Sequence, residues 1–119
     1  MANDFKRVCV PNVSASSNST IYAVPAGASS AALESIVIGI TMANKTSSGI
    51  TASIFIDNED GSNDVYIVKD ASIPAGASLE VMSGNKLVLQ NDGTNGDNLE
   101  ALASAANSLD VTVSVLEDV

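Results

Sequence analysis

The chain has 119 residues, no histidine, one cysteine and a formal net charge of −9. Without histidine it lacks the commonest general base and metal ligand, and one cysteine provides neither an internal disulfide nor a structural zinc site. The negative charge argues against nucleic acid and anionic membranes as partners. We therefore predict a non-enzymatic protein with no cofactor, no nucleic-acid partner and no membrane partner.

The hydrophobic residues fall into short runs that predict about nine β-strands. Hydrophobic residues make up 45% of the chain and aromatic residues 3%, so Val, Ile, Leu and Ala must fill the core. The predicted strands are residues 5–10, 20–24, 31–43, 50–56, 65–68, 79–82, 86–90, 97–107 and 109–116. Short strands with regular turns are typical of two packed antiparallel sheets. The predicted fold is an all-β antiparallel sandwich of 8–9 strands, jelly-roll or Ig-like.

Residues 1–18 are predicted to form an N-terminal strand and loop, and residues 19–119 a single β-sandwich domain. Phe5, Lys6, Arg7 and Val8 lie in the first strand, which holds two of the five basic residues. We expect this segment to be an arm that adds its strand to a neighbouring subunit. Cys9 lies in an apolar run and is expected to be buried as a small hydrophobic residue, with an intermolecular disulfide as the alternative.

Two almost identical segments occur at residues 24–29 and 73–78, with the sequences VPAGAS and IPAGAS. Each is expected to form a tight type I turn with glycine at its fourth position. Their recurrence, followed in each half by an alternating strand, predicts one domain made of two similar halves. The glycine within the apolar strand at residues 31–43, Gly39, predicts a β-bulge or a close backbone approach.

Residues 97–107 fit two structures. Asp97 and Glu100 could form a helical capping box, and leucines and alanines recur there at helical spacing. The same segment also alternates as a strand would, and the surrounding strands favour that choice. We predict a strand.

The acidic loop at residues 57–64 is the better of two candidate metal sites, and the loop at residues 92–97 is similar and weaker. Oxygen-rich loops bind calcium, and Asp57 and Asp64 are the most plausible ligands. The EF-hand pattern fails here, because isoleucine stands five residues before Gly61. A solvated turn without metal is the prediction, with an irregular calcium site as the alternative.

Several strand and turn phrases carry a resemblance when they are taken in order. These phrases are residues 36–40, 43–46, 73–79 and 86–90, Ser104 and residues 109–117. Together they resemble small virion structural proteins of marine tailed bacteriophages, of the cyanophage type. The resemblance implies a β-rich part present in many copies on the particle.

The predicted function is a capsid decoration or cement protein on the outer head, located in the virion and assembled in the host cytoplasm. Its expected partners are other virion proteins, above all the major capsid protein, and further copies of itself, with a trimer favoured. A tail, neck or fibre-associated component is the alternative. A carbohydrate-binding β-sandwich module is a further alternative, and a small hydrolase ranks last because histidine is missing.

Overall fold

The computed structural model describes residues 3–57, 64–82 and 86–118. These residues form nine β-strands and one short 3-10 turn, and among them no helix is long or apolar enough to cross a membrane. The strands are β1 (Asn3–Val10), β2 (Ser19–Ala23), β3 (Leu33–Asn44), β4 (Ile50–Asp57), β5 (Asp64–Ile73), β6 (Ser78–Glu80), β7 (Leu87–Asn91), β8 (Asn98–Ala103) and β9 (Leu109–Asp118).

The strands form two antiparallel sheets. In sheet A the order is β1-β9-β3, and both β6 and β7 pair with β3; in sheet B the order is β2-β8-β4-β5. The pairings are nested, because β4 pairs with β5, β3 with β6 and β7, β2 with β8, and β1 with β9. The chain therefore forms one long hairpin that is rolled up. Rolling brings β9 beside β3 and β8 beside β4. The predicted sandwich is confirmed, and its strand order is that of a jelly roll.

The core lies between the sheets and follows from the two-residue period of the strands. In β9, Leu109, Val111, Val113 and Val115 are buried, while the residues between them face outward or lie partly exposed. Branched aliphatic side chains suit this arrangement because they pack well on a pleated surface. The scarcity of aromatic residues is therefore compatible with a closed interior.

Two local predictions are confirmed. Of the strand predicted at residues 97–107, residues 98–103 form strand β8, because Leu99, Ala101 and Ala103 point inward at a period of two and β8 pairs with strands on both sides; residues 104–107 form a bend and a turn instead. The register of β3 against β9 shifts between Val37 and Gly39, which is the predicted bulge.

The two repeated turns differ from the prediction and from each other. In the second copy, the Ala77 amide donates to the Pro74 carbonyl at 3.0 Å and Gly76 has a φ of 68°, so glycine occupies the third position of the turn. In the first copy Gly27 is extended, and a 3-10 turn at Ala28–Ser30 follows it. The prediction of two type I turns with glycine fourth is therefore wrong. A left-handed φ costs glycine little, so glycine suits the third position of the turn in the second copy.

The prediction of two similar halves is also wrong. Both repeated segments lead from sheet B to sheet A, from β2 to β3 and from β5 to β6. The alternating strands that follow them lie in different sheets, since β4 belongs to sheet B and β9 to sheet A. The rolled hairpin has nested rather than repeated pairings, so like sequence phrases do not occupy like places.

Candidate assembly surface

An apolar row crosses the outer face of sheet A. Phe5 on β1 is directly opposite Leu116 on β9, Leu116 is opposite Ile36 on β3, and Ile36 is opposite Val88 on β7. We call these four residues row A. Directly opposed side chains in antiparallel strands lie close together on one face, so row A is continuous across four strands.

The two end residues of row A are open to solvent, and the two between them, Leu116 and Ile36, are partly buried. The exposed fractions are 75% for Phe5 and 54% for Val88, and Ile38, in the adjoining bulge of β3, is 41% exposed. Single exposed apolar residues are ordinary on a protein surface, whereas contiguous ones mark contact sites for other molecules. The outer face of sheet A is therefore the candidate functional site.

The outer face of sheet B carries a comparable row, which we call row B. It runs from Thr20 through Glu100 and Phe55 to Tyr66. The ring centroids of Phe55 and Tyr66 are 5.1 Å apart, and the Thr20 hydroxyl donates to a Glu100 carboxylate oxygen at 2.8 Å. Phe55 is only 1% exposed. The two middle residues of row B, Glu100 and Phe55, are thus covered, whereas its end residues, Thr20 and Tyr66, are exposed.

The outermost strands of the two sheets differ in regularity. Strand β1 pairs with β9 through eight consecutive residue pairs without a register shift. Strand β5 pairs with β4 through two register shifts, and Asp70 near them has a φ of 51° and donates its amide to the Ser53 hydroxyl at 2.9 Å. Bulges and twists of this kind obstruct pairing with another chain. The open edge of β1 is the more regular template.

A buried carboxylate ties β1 to both sheets. Glu117, at 2% exposure, accepts a hydrogen bond from the Tyr22 hydroxyl of sheet B, and its other oxygen lies 3.1 Å from the Lys6 ammonium of β1. The Tyr22 oxygen is also 2.8 Å from the Ser35 hydroxyl. Burial, followed by the bond to Glu117, raises the pKa of Tyr22 well above its usual value. This cluster anchors β1 beside Phe5.

The pKa of the Lys6 ammonium is also raised. The hydrogen bond to Glu117 is the largest cause, its charge is the next favourable one, and the charge of Asp4 adds a smaller share. Asp4 is directly opposite Glu117 in the pairing of β1 with β9. One lysine therefore serves two carboxylates on this edge, an arrangement in which a second cation would be favourable.

The residues predicted for the arm divide between the two faces of β1. Phe5 and Arg7 face outward and are exposed, whereas Val8 packs against the core and Lys6 reaches Glu117. In the structure β1 is a strand of its own domain, and its second edge is the part that a neighbour could join. The arm that joins a neighbour stays a prediction.

Cys9 is exposed, so the expectation of a buried thiol is wrong. Val8 and Val10 turn toward the core, and the residue between them must point outward in an extended strand. An unbroken apolar run on an edge strand does not imply burial on both faces.

The acidic residues predicted as calcium ligands lie at the ends of neighbouring strands. Asp57 and Asp64 are directly opposite each other where β4 and β5 meet, and the loop residues 58–63 lie outside the described part of the chain. Among the described residues, His, Cys, Asp and Glu form no group of three or more that could hold a metal ion. The solvated turn stays a prediction, with the irregular calcium site as its alternative.

The sequence analysis missed both the buried glutamate and row A. The last predicted strand ends at residue 116, before Glu117, yet Glu117 continues the inward positions of β9 after Val115. Counting the two-residue period to its end would have placed it inside. Row A could not be found in this way, because it depends on the register between strands that are distant in sequence.

No family model matches the chain, and no curated protein matches it. Among solved structures, one titled "Bacillus endospore appendages form a novel family of disulfide-linked pili" is 16% identical, with a TM-score of 0.42, covering 97% of this chain and 86% of that one.

Two viral structures also match. The Gx strain of infectious bursal disease virus gives 14% identity and a TM-score of 0.43, covering 96% of this chain and 29% of that one. The STIV MCP gives 14% identity and a TM-score of 0.29, covering 93% of this chain and 48% of that one. All three TM-scores are low, so the fold assignment rests on the strand pairing described above.

Proposed function

We propose that this chain is a non-enzymatic structural protein of a bacteriophage virion, and that it decorates the outer head by binding the major capsid protein. The resemblance of its strand and turn phrases to virion proteins of marine tailed phages supports the phage assignment. The jelly roll supports a structural role, since this fold recurs in viral capsid domains.

Row A is the single observation that carries the proposal. Its four residues lie on one outer face, with Phe5 and Val88 more than half exposed. Covering such a strip stabilises a complex by about 25 cal/mol for each Å² of apolar surface removed from water. An outer face of this kind gives a small protein a flat contact with the surface of a shell. We assign row A to the contact with the capsid.

The test compares two exposed valines, one on each sheet. Val88→Asp introduces a charge into row A, and Val65→Asp introduces the same charge on β5, where Val65 is 49% exposed. We expect virions carrying Val88→Asp to contain at least tenfold fewer copies of the chain, and those carrying Val65→Asp to contain the normal number. Copy number is measured by quantitative mass spectrometry of purified particles.

Immunogold electron microscopy of intact virions supplies the location. Label over the whole head is expected. Label confined to the neck or tail would overturn the decoration role and favour the alternative virion component, and no label on any particle would overturn the virion assignment. Equal incorporation of the Val88 and Val65 variants would show that row A is not the contact.

A further inference from the structure

We propose that the open edge of β1 pairs with β1 of a second copy of this chain, antiparallel and centred on Phe5, so that Asp4 of each copy faces Lys6 of the other. The pairing would join two copies of sheet A into one continuous sheet. It is argued from the edge itself and does not depend on the virion assignment.

The outer edge of β1 is available for pairing. Strand β1 is outermost in sheet A, and it pairs with β9 through eight residue pairs without a register shift. Of the outermost strands compared above, β5 is distorted by two register shifts. Unpaired backbone amides and carbonyls on a regular edge are a template for another strand.

The charge pattern of β1 selects one register for its pairing with a second copy. A twofold axis perpendicular to the sheet keeps both outer faces on the same side, and one residue of β1 then faces its own copy. Centring on Lys6 or Arg7 sets like charges directly opposite each other, which is unfavourable. Centring on Phe5 sets Asp4 opposite Lys6 twice, and no other register places a carboxylate opposite Lys6.

The lysine also explains why the edge would not pair indiscriminately. Charged side chains on an edge strand, lysine above all, deter pairing with unsuitable partners. Lys6 is 48% exposed at its side chain while it contacts Glu117 at 3.1 Å, so it can receive a second carboxylate. Asp4, which lies opposite Glu117 within its own chain, gains a cation in the partner. The charges of β1 thus disfavour pairing with unsuitable strands and favour pairing with β1 of a second copy.

Phe5 lies at the end of row A, which favours the same register. Phe5 has a cross-strand neighbour, Leu116, on one side, and the open edge lies on its other side. In the Phe5-centred register the missing neighbour is Phe5 of the second copy, which forms an aromatic pair across the twofold axis. Row A then runs unbroken through both copies.

Disulfide trapping tests the register. In a Cys9→Ser background, Phe5→Cys places two thiols opposite each other at a Cα separation of about 4.5–5.5 Å, within the range that a disulfide spans. We expect this variant to form a covalent dimer under mild oxidation. Arg7→Cys and Val88→Cys in the same background, and the unmodified chain with its native Cys9, are expected to remain uncrosslinked.

Sedimentation velocity on the purified full chain tests the charge argument. Asp4→Lys sets lysine opposite Lys6 of the partner, and we expect it to weaken the dimer at least tenfold. Within the chain it places a base opposite Glu117, so the fold is retained and circular dichroism verifies this. Asp64→Lys makes the same change of charge on β5 and is expected to leave the dimer unchanged.

Several results would overturn the inference. These are a monomer at every concentration, a trimer without crosslinks at position 5, crosslinking at position 7 or at native Cys9, and equal dimerisation of the Asp4 and Asp64 variants. A monomer that is still incorporated into heads would remove this inference and leave the proposed function intact. A dimer found on no particle would do the reverse.

Discussion

The two phenylalanines of the chain occupy corresponding outer faces and have opposite surroundings. Phe5 is 75% exposed on sheet A, and Phe55 is 1% exposed on sheet B. Phe55 belongs to β4, which has a strand on each side, so Glu100 and Tyr66 flank its ring. Phe5 belongs to the outermost strand and has Leu116 on one side.

The difference shows that the burial of a residue on the outer face of a sandwich depends on its neighbours in the same sheet, because no second layer covers that face. A residue in a central strand obtains cover from cross-strand neighbours on both sides, whereas one on an edge obtains half of it. The same residue type can therefore be core-like in one row and a contact surface in the other. The predictions below test this comparison in order of expected effect.

Removing each ring gives the largest contrast. We expect Phe55→Ala to lower the free energy of unfolding by about 3–4 kcal/mol, because it empties a filled site. Phe5→Ala should change it by less than about 0.5 kcal/mol, because its ring is mostly in water. Urea denaturation at a protein concentration that favours the monomer measures both. Equal losses would contradict the comparison.

The second test loosens the anchor that holds β1 beside row A. Tyr22→Phe removes the hydroxyl that Glu117 accepts, and we expect a loss of about 1–2 kcal/mol at neutral pH. Tyr66→Phe in row B is the matched loss of a phenol and should cost less than about 0.5 kcal/mol. Denaturation of both variants measures the difference, and equal costs would mean that the buried cluster contributes no anchoring.

The pKa of Tyr22 also predicts how stability depends on pH. Because this pKa is raised in the folded chain, the contribution is complete below the usual tyrosine pKa of about 10 and is lost as pH rises above it. Lys6, whose pKa is also raised, acts in the same direction. Denaturation between neutral and strongly alkaline pH should show a shallower decline for Tyr22→Phe than for the unmodified chain. Parallel curves would contradict the assignment.

Uncovering part of row B should have a smaller effect. Thr20→Val keeps the shape of the side chain and removes the hydrogen bond to Glu100, which is 8% exposed. We expect a loss of about 1 kcal/mol in the free energy of unfolding. Thr112→Val on the exposed face of β9 is the control. A loss no greater than that of the control would show that row B does not need this bond.

The smallest effect is expected at the far end of row A. Val88→Thr exchanges a methyl group for a hydroxyl at a position that is 54% exposed. The free energy of unfolding should stay within about 0.5 kcal/mol, as is usual for surface substitutions. A loss above about 1 kcal/mol in thermal or urea unfolding would mean that row A already contributes to the fold of the isolated chain.

The sequence predicted what depends on local alternation. The strands, the bulge at Gly39 and the choice of strand for β8 follow from a two-residue period that can be counted along the chain. It could not predict row A, whose members come from four strands and meet through register alone. The exposure of Phe5 and Cys9 could not be predicted either, because it depends on β1 being the outermost strand of its sheet.

The repeated turns show a second reason for failure. Residues 24–29 and 73–78 have almost the same letters, yet Gly27 is extended and Gly76 is left-handed. Both segments connect sheet B to sheet A, and the strands that they connect differ in length and pairing. The conformation of such a turn depends on the strands that it connects. The residues of the turn alone do not determine it.

The nested pairing also has a consequence for the time course of folding. Asn3 pairs with Asp118, so β1 and its partner β9 are the two described strands that lie furthest apart in the sequence. At about 5–20 residues per second, β1 must wait on the order of ten seconds before β9 has been synthesised. Contacts so distant in sequence close slowly. Until β9 emerges, β1 has no partner strand in its own chain, and its unpaired backbone groups are open to strands of neighbouring chains.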